Sequence, residues 1–324
     1  MLWKVARLIL WSCPALIFLT FADLAHGQRP DPSAKQVELT YFGTAGWQIS
    51  DGSAILLVDP YLSRINGPAP PSGGTATVVQ SDAREKYSWS DTATSDASVI
   101  DAHISRANFI LVTHTHYDHI LDVPYIARKT GAIVIGTEST ANVLRAYGLP
   151  DSQVITVRGG EDYQFDSFSL RVIPSIHSPL DHKHYFSSAV APPGLKAPLT
   201  LQQIHPEGGT LAYLVRIGNH QILAFGGMNY IERELVGLQP DVVLLGAGSS
   251  RREIYDYTAR LLRTLHNPPL VLPTHWDNFL APYSASQQTA LDALQGFIKE
   301  VKDASPQTKV IVPKYFDAIQ LPLQ

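Results

Sequence analysis

The sequence predicts an α/β fold with a mixed sheet in each half of the chain. Short apolar runs rich in β-branched residues alternate with longer segments in which apolar residues recur at helical spacing. Gly, Pro, Asn and Asp separate these segments, as is typical of turns. A chain of 324 residues with 45% hydrophobic content can also bury a sizeable core.

The predicted elements follow each other in a regular order. In the first half, strands are expected at 37–42, 54–58, 109–113, 133–135 and 154–157, and helices at 123–131 and 140–147. In the second half, strands are expected at 170–173, 211–217, 222–225, 242–245 and 270–272, and helices at 253–265 and 285–301. Asp122, Pro124 and Gly131 are the start and stop signals of the first helix.

A polar segment at about 63–98 interrupts this pattern. It is rich in Gly, Ser, Thr and Asp, and Pro68, Pro70 and Pro71 disfavour regular structure there. A loop of this length inside a domain is commonly either a functional lid or an insert. Tyr87 and Trp89 therefore have two interpretations: they cover a substrate, or they pack on the protein surface, which is the commoner case.

The N-terminus has the layout of a secretory signal peptide. Lys4 and Arg7 precede an apolar run at 8–21, and Ala25-His26-Gly27 provides a small-x-small cleavage site after residue 27. The run is short for a spanning helix, which needs about 20 residues, so we expect cleavage and no stable membrane insertion afterwards. The mature protein, residues 28–324, would be a single domain in the periplasm or outside the cell. It would contain no thiol, since Cys13 is the only cysteine.

The charge balance bears on the partner. A net charge of -4 and a pI near 6.3 give no basic surface for phosphate backbones, so nucleic acid is not expected to bind. A small molecule is the expected partner. The sequence does not indicate an oligomeric state.

One run of six residues carries the strongest functional signal. His114, His116, Asp118 and His119 follow the apolar strand predicted at 109–113. Alternate residues of an extended chain point to the same side, so His114 and His116 would face one point, while Asp118 and His119 lie where the chain turns. Imidazole and carboxylate are ligands of zinc, and they also suit iron and manganese. A lone histidine is usually structural, but this spacing rarely arises by chance, and the segment can serve two adjacent ions.

This motif resembles that of the metallo-β-lactamase superfamily. Three further segments, Tyr-Phe-Gly-Thr-Ala-Gly-Trp at 41–47, Val-Asp-Pro-Tyr at 58–61 and Pro-Thr-His-Trp at 273–276, resemble the branch that contains ascorbate-6-phosphate lactonase and N-acyl-phosphatidylethanolamine phospholipase D. The resemblance extends over about residues 37–312. It implies a four-layer αβ/βα sandwich.

The resemblance also implies a set of site residues. The ligands that it implies for one ion are His114, His116 and His177, and those for a second ion are Asp118, His119 and His275. Gly227 stands where most members have a bridging aspartate, as in the third subclass of true metallo-β-lactamases. Asp59 and Asp122 are expected to accept the outer N–H groups of ligand histidines, although a turn residue and a helix cap are equally good interpretations. Asp181, His182 and His184 lie in a long loop up to about residue 208 and are weaker ligand candidates.

We therefore expect a zinc-dependent hydrolase of a small ester, lactone or phosphodiester that uses metal-bound hydroxide. Asp118 would orient the hydroxide and pass its proton to the leaving group. Three alternatives remain open: a metallo-β-lactamase, an iron oxidoreductase related to persulfide dioxygenases, and a non-catalytic metal-binding protein. The missing aspartate at Gly227 counts against the oxidoreductase, and the complete set of six ligands counts against the non-catalytic protein.

Overall fold

The computed structural model describes residues 36–68, 82–180, 183–184 and 187–321. The expected signal peptide lies outside this part of the chain. Two seven-stranded sheets form the framework. The first sheet contains β1 (Glu38–Gly43), β2 (Gly46–Ser50), β3 (Ile55–Val58), β4 (Phe109–Leu111), β5 (Ile133–Gly136), β6 (Val154–Thr156) and β14 (Ala318–Gln320). The second contains β7 (Asp162–Gln164), β8 (Phe168–Ser175), β9 (Thr210–Ile217), β10 (His220–Phe225), β11 (Val242–Gly246), β12 (Leu270–Thr274) and β13 (Lys309–Val310).

Both sheets are mixed and have the same plan. The strand order is β14-β1-β2-β3-β4-β5-β6 in the first sheet and β13-β12-β11-β10-β9-β8-β7 in the second. In the first, β14, β1, β2 and β3 pair antiparallel, and β3 to β6 pair parallel. In the second, β7 to β10 pair antiparallel, and β10 to β13 pair parallel. This confirms the predicted mixed sheets.

Seven helices accompany the sheets in the described residues: α1 (Ala97–His103), α2 (Tyr117–Ile120), α3 (Val123–Thr130), α4 (Glu138–Ala146), α5 (Glu232–Leu235), α6 (Tyr257–Thr264) and α7 (Gln288–Ala304). Short 3₁₀ turns occur at Asp151–Gln153 and Ser249–Glu253. Gly131 ends α3 in the left-handed region with φ +72°, as its C-terminal position predicts. None of the helices that the structure describes has the length and apolarity needed to span a membrane.

Two apolar clusters arrange these elements in layers. Alternate side chains of the first sheet point to opposite sides: Leu56 and Leu111 join the second sheet in one cluster, and Leu57 and Ile110 join α1, α3 and α4 in the other. Helices α6 and α7 contribute Leu261, Leu262, Leu294 and Phe297 to the cluster of the second sheet. The result is the αβ/βα sandwich that the resemblance implied.

The sequence prediction missed several short elements. Strand β2 lies between the two strands predicted at 37–42 and 54–58, so the chain forms three antiparallel strands there. Strands β7, β13 and β14 and helices α1, α2 and α5 were also not predicted. Each has seven residues or fewer, which is too short for a periodic pattern to develop.

A buried ion pair joins the two sheets beside the strand ends. Arg64 Nη1 donates to Asp277 Oδ2 at 2.7 Å, and both side chains are almost fully buried. The other oxygen, Asp277 Oδ1, accepts from Tyr41 Oη at 2.8 Å and from Thr44 N at 2.9 Å. Tyr41 is in β1 and Asp277 follows β12, so this carboxylate fixes the turn after β1 against the loop after β12.

We expect Arg64→Met to destabilise the fold strongly, because it leaves the Asp277 carboxylate buried without its cation. Breaking one partner of a buried pair costs about 3–5 kcal/mol. Urea denaturation followed by far-UV circular dichroism measures the change. Arg145→Ala is the matched control, since the ion pairs of Arg145 with Glu138 and Asp151 are exposed. This variant should change stability by less than about 1 kcal/mol. Equal losses in the two variants would contradict the role of the buried pair.

Candidate metal centre

The sandwich brings the predicted ligands together at one edge. Asp59 follows β3, the histidine motif follows β4, His177 follows β8 and His275 follows β12. Because these strands run in the same direction within their sheets, their carboxyl ends meet at this edge. Two groups result: one of His114, His116 and His177, and one of Asp118, His119 and His275. Within each group the ligand atoms lie within 4.8 Å of one another.

The first group consists of the buried imidazoles of His114 and His116 and the half-buried imidazole of His177. Thr113 Oγ1 donates to Asp59 Oδ2 at 2.5 Å, so it can only accept the 3.0 Å bond from His114 Nδ1–H. His177 Nδ1 donates to Ser178 O at 2.8 Å. Among the described residues, the buried His114 Nε2 has no hydrogen-bond partner. A buried nitrogen of this kind is what a metal ion would satisfy.

Burial also keeps these imidazoles neutral. It lowers the pKa of His114 and of His116 well below the ordinary value, and the neighbouring histidines lower both further. Burial lowers the pKa of His177 to about 4. Neutral imidazole is the form that binds metal, so the first group is in the ligating state at pH 7.

In the second group a carboxylate lies between two histidines. Asp118 Oδ2 is 3.5 Å from His119 Nε2 and 3.3 Å from His275 Nε2. Burial by itself would raise the pKa of Asp118, but His119 and His275 outweigh it and hold this pKa below its usual range. The carboxylate is therefore ionised at neutral pH. The chemistry of both groups fits divalent ions such as zinc, iron or manganese.

Asp59 lies where the sequence placed it, as an outer partner of a ligand candidate. His119 Nδ1 donates to Asp59 Oδ2 at 2.8 Å, which directs His119 Nε2 towards Asp118. Asp122 is not an outer partner of a ligand candidate, so the prediction for it was wrong. Its carboxylate accepts from Leu62 N, Ser63 N and Ser63 Oγ, at 2.7, 2.8 and 2.5 Å. It makes no side-chain cap bond to α3 either. The backbone N–H groups of residues 62–63 bond to Oδ2, and the Ser63 hydroxyl bonds to Oδ1.

The position of the missing aspartate is partly filled by another side chain. A Cβ atom at Gly227 would lie 2.7 Å from Ser178 Oγ, and Ser178 Oγ accepts from Met228 N at 2.7 Å. The φ angle of Gly227 lies outside the left-handed region, so the backbone itself would accept another residue. The neighbouring Gly226 is different: a Cβ there would come within 1.9 Å of Thr113 Oγ1.

Of the weaker ligand candidates, only His184 is among the described residues; it is exposed and belongs to neither group. Asp181 and His182 lie outside the described residues. The sequence analysis missed His205, whose ring stacks on His116 with a centroid distance of 3.9 Å and an interplanar angle of 11°. No spacing rule indicates His205, because it reaches the site only through the course of the long loop after residue 178.

Trp89 of the polar insert lies at the candidate site. It lines the pocket around both groups, and its ring lies 4.5 Å from that of His205. Gln202 N donates to Trp89 O, and Leu201 N donates to Asp91 O, both at 2.9 Å. Thr92 and Thr200 add an isolated antiparallel bridge. The polar insert and the long loop are thus joined to each other over the site.

Comparison with known proteins places this chain in a family. The family model described as "Beta-lactamase superfamily domain" matches residues 88–276. A curated relative from Myxococcus xanthus, named a UPF0173 metal-dependent hydrolase, is 28% identical over 287 residues, which cover 86% of this chain and 81% of the relative.

Solved structures share the fold. Igni18, a metallo hydrolase from Ignicoccus hospitalis, matches with a TM-score of 0.57 and 17% identity, over 89% of this chain and all of that one. CmlA, a diiron β-hydroxylase from Streptomyces venezuelae, matches with a TM-score of 0.51 and 15% identity, over 90% of this chain and 55% of that one. At these identities the likeness concerns the fold alone.

We expect the second group to bind its ion more weakly than the first. Residue 227 is a glycine and provides no carboxylate that would reduce the repulsion between the two cations. Gly227→Asp alone should change little, since Ser178 Oγ occupies the space of the new side chain. Gly227→Asp with Ser178→Gly should tighten the second ion by roughly tenfold or more. Zinc titration against a chelating competitor measures both affinities, with Ser178→Gly alone as control. Two equally tight ions in the wild type, with no gain in the double variant, would show that another residue supplies the bridge.

Proposed function

Because this chain belongs to the beta-lactamase superfamily and is a metal-dependent hydrolase, we propose that it is an exported zinc enzyme that hydrolyses a small ester, lactone or phosphodiester. The observation that carries the proposal is the pair of three-donor groups in one pocket. Structural zinc sites are closed by four protein ligands, whereas a catalytic site has three and keeps a position open.

The six residues of the two groups would hold the ions. When bound, a divalent ion supplies a Lewis acid for the carbonyl or phosphoryl oxygen and lowers the pKa of water to about 7. His114, His177 and His119 are each oriented by a hydrogen bond at Nδ1, so their Nε2 atoms are directed into the site. Asp118 is the ionised carboxylate of the pocket and is the residue that accepts a proton from the attacking water.

The reaction consumes one water molecule. Its oxygen forms a bond to the acyl carbon or the phosphorus, and the bond from that atom to the leaving oxygen breaks. Asp118 delivers the proton it has taken to the leaving oxygen, which departs as an alcohol. In a lactone the alcohol stays in the same molecule as the new carboxylate.

Purified protein loaded with zinc should hydrolyse members of a panel of p-nitrophenyl esters, lactones and bis-p-nitrophenyl phosphate. His177→Ala should lose hydrolysis by at least a hundredfold together with bound zinc, because it removes one of three ligands of the first group. His184→Ala, which removes an exposed histidine of the adjacent loop, should keep both. Hydrolysis rates of the zinc-, iron- and manganese-loaded samples, with their metal content measured by mass spectrometry, identify the metal that supports activity.

Full zinc occupancy with no turnover of any substrate in the panel would count against hydrolysis of these classes. Zinc lost in His184→Ala but kept in His177→Ala would show that the assignment of the third ligand is wrong.

The export part of the proposal is supported by the order of charged start, apolar run and small-residue site in residues 1–27. We expect the mature protein to begin at Gln28 and to leave the cytoplasm. Intact mass of the protein from the periplasmic or culture fraction gives the start directly. Recovery of only the full-length chain, in the membrane fraction, would refute cleavage.

A further inference from the structure

The pocket around the two ligand groups has a continuous aromatic side, formed by Trp89, His205, Tyr117 and Phe279, which we call the aromatic wall. Ring centroids are 4.5 Å apart for Trp89 and His205, 6.1 Å for Trp89 and Tyr117, and 6.2 Å for Tyr117 and Phe279. Successive rings are tilted or edge-on, as favourable aromatic contacts are.

The aromatic wall reaches both ligand groups. His205 stacks on His116 of the first group at 3.9 Å. Phe279 meets His275 of the second group edge-on, with ring centroids 5.5 Å apart. A substrate whose reacting bond lies between the two groups therefore has its remaining atoms against the aromatic wall. Leu180 and Met228 also line this pocket.

A cationic side chain in the pocket would hold an anionic part of a substrate. None of the described residues that line it is a lysine or an arginine. The internal segments outside the described residues, 69–81, 181–182 and 185–186, contain neither residue type in the sequence. Lys183, in the loop beside Leu180, pairs with Glu253 at 2.6 Å. Proteins that recognise carboxylate or phosphate groups generally use arginine or lysine for this purpose.

The aromatic wall is also built into the fold, and the space beside it is small. The bonds between residues 200–202 and 89–92 fix Trp89 and His205 relative to each other. Tyr117 Oη donates to Pro68 O at 3.0 Å, which fixes the next ring. The cavity volume is about 70 Å³. Such a pre-formed, largely apolar pocket suits a small ligand with few polar groups.

We propose that the substrate is a small neutral ester or lactone whose apolar part lies on the aromatic wall, and that Trp89 determines this preference. The proposal rests on the proposed hydrolase function, and it narrows the substrate class to molecules without a charge remote from the reacting bond.

A matched pair of substrates tests the preference. p-Nitrophenyl butyrate and mono-p-nitrophenyl succinate have the same reacting bond and similar length, but the succinate ester carries a remote carboxylate. After correction for their rates in buffer, the zinc-loaded wild type should have a kcat/KM for the butyrate ester at least about tenfold higher. An equal or higher kcat/KM for the succinate ester would overturn the proposal.

Two substitutions test the part played by Trp89. Trp89→Ala should lower kcat/KM for the butyrate ester about tenfold, mostly through KM, at unchanged zinc content. Trp89→Arg should shift the preference towards the succinate ester. Tyr255→Ala, which removes a side chain that is 83% exposed and does not line the pocket, should change neither value. An unchanged ratio of the two esters in both Trp89 variants would show that Trp89 does not determine specificity.

Failure of the hydrolase proposal is distinguishable from failure of this one. If neither ester is hydrolysed, binding of the stable amides butyranilide and succinanilic acid to the zinc-loaded protein can be compared by saturation-transfer NMR. Preferential binding of butyranilide that is lost in Trp89→Ala would support the neutral apolar pocket without hydrolysis. Equal binding of the two amides would contradict it.

Discussion

The candidate site depends on one buried carboxylate, that of Asp59. Its Oδ1 accepts from Thr113 N at 2.7 Å, and its Oδ2 accepts from Thr113 Oγ1 and His119 Nδ1. The same residue thus fixes the chain just before the histidine motif and the last histidine within it. It also acts on His114 through the Thr113 hydroxyl. Since Asp59 has no exposed surface, each of these bonds forms in a medium where an unsatisfied partner is costly.

The space around this carboxylate explains a neighbouring sequence feature. Thr113 Oγ1 and Asp59 Oδ2 lie 1.9 and 3.0 Å from the Cβ that any other residue would place at position 226. Gly226 follows β10 of the second sheet, whereas Asp59 and Thr113 follow strands β3 and β4 of the first. The absence of a side chain at Gly226 therefore lets the two sheets approach at the site. The same approach brings His177 close to His114 and His116.

Much of this arrangement could be predicted from sequence because its strands and helices follow local sequence patterns. The strand before His114, the capped helix to Gly131 and the strands before His177 and His275 each have a pattern that spacing and composition determine. Asp122 could not be assigned, since its partners at residues 62–63 are brought to it by tertiary folding. The roles of His205 and Ser178 could not be predicted for the same reason. Their roles depend on where a loop without periodicity crosses the pocket, and no residue pattern encodes that path.

The pairing of Thr92 with Thr200 restricts how the pocket can change in evolution. The two segments are separated by about a hundred positions in the chain, yet they share backbone hydrogen bonds above the site. A deletion or insertion in one segment would displace the other, and with it either Trp89 or His205. New specificities would therefore arise from paired changes in the two loops or from side-chain replacement on a constant backbone. The catalytic framework below, built from strand ends, could remain the same throughout.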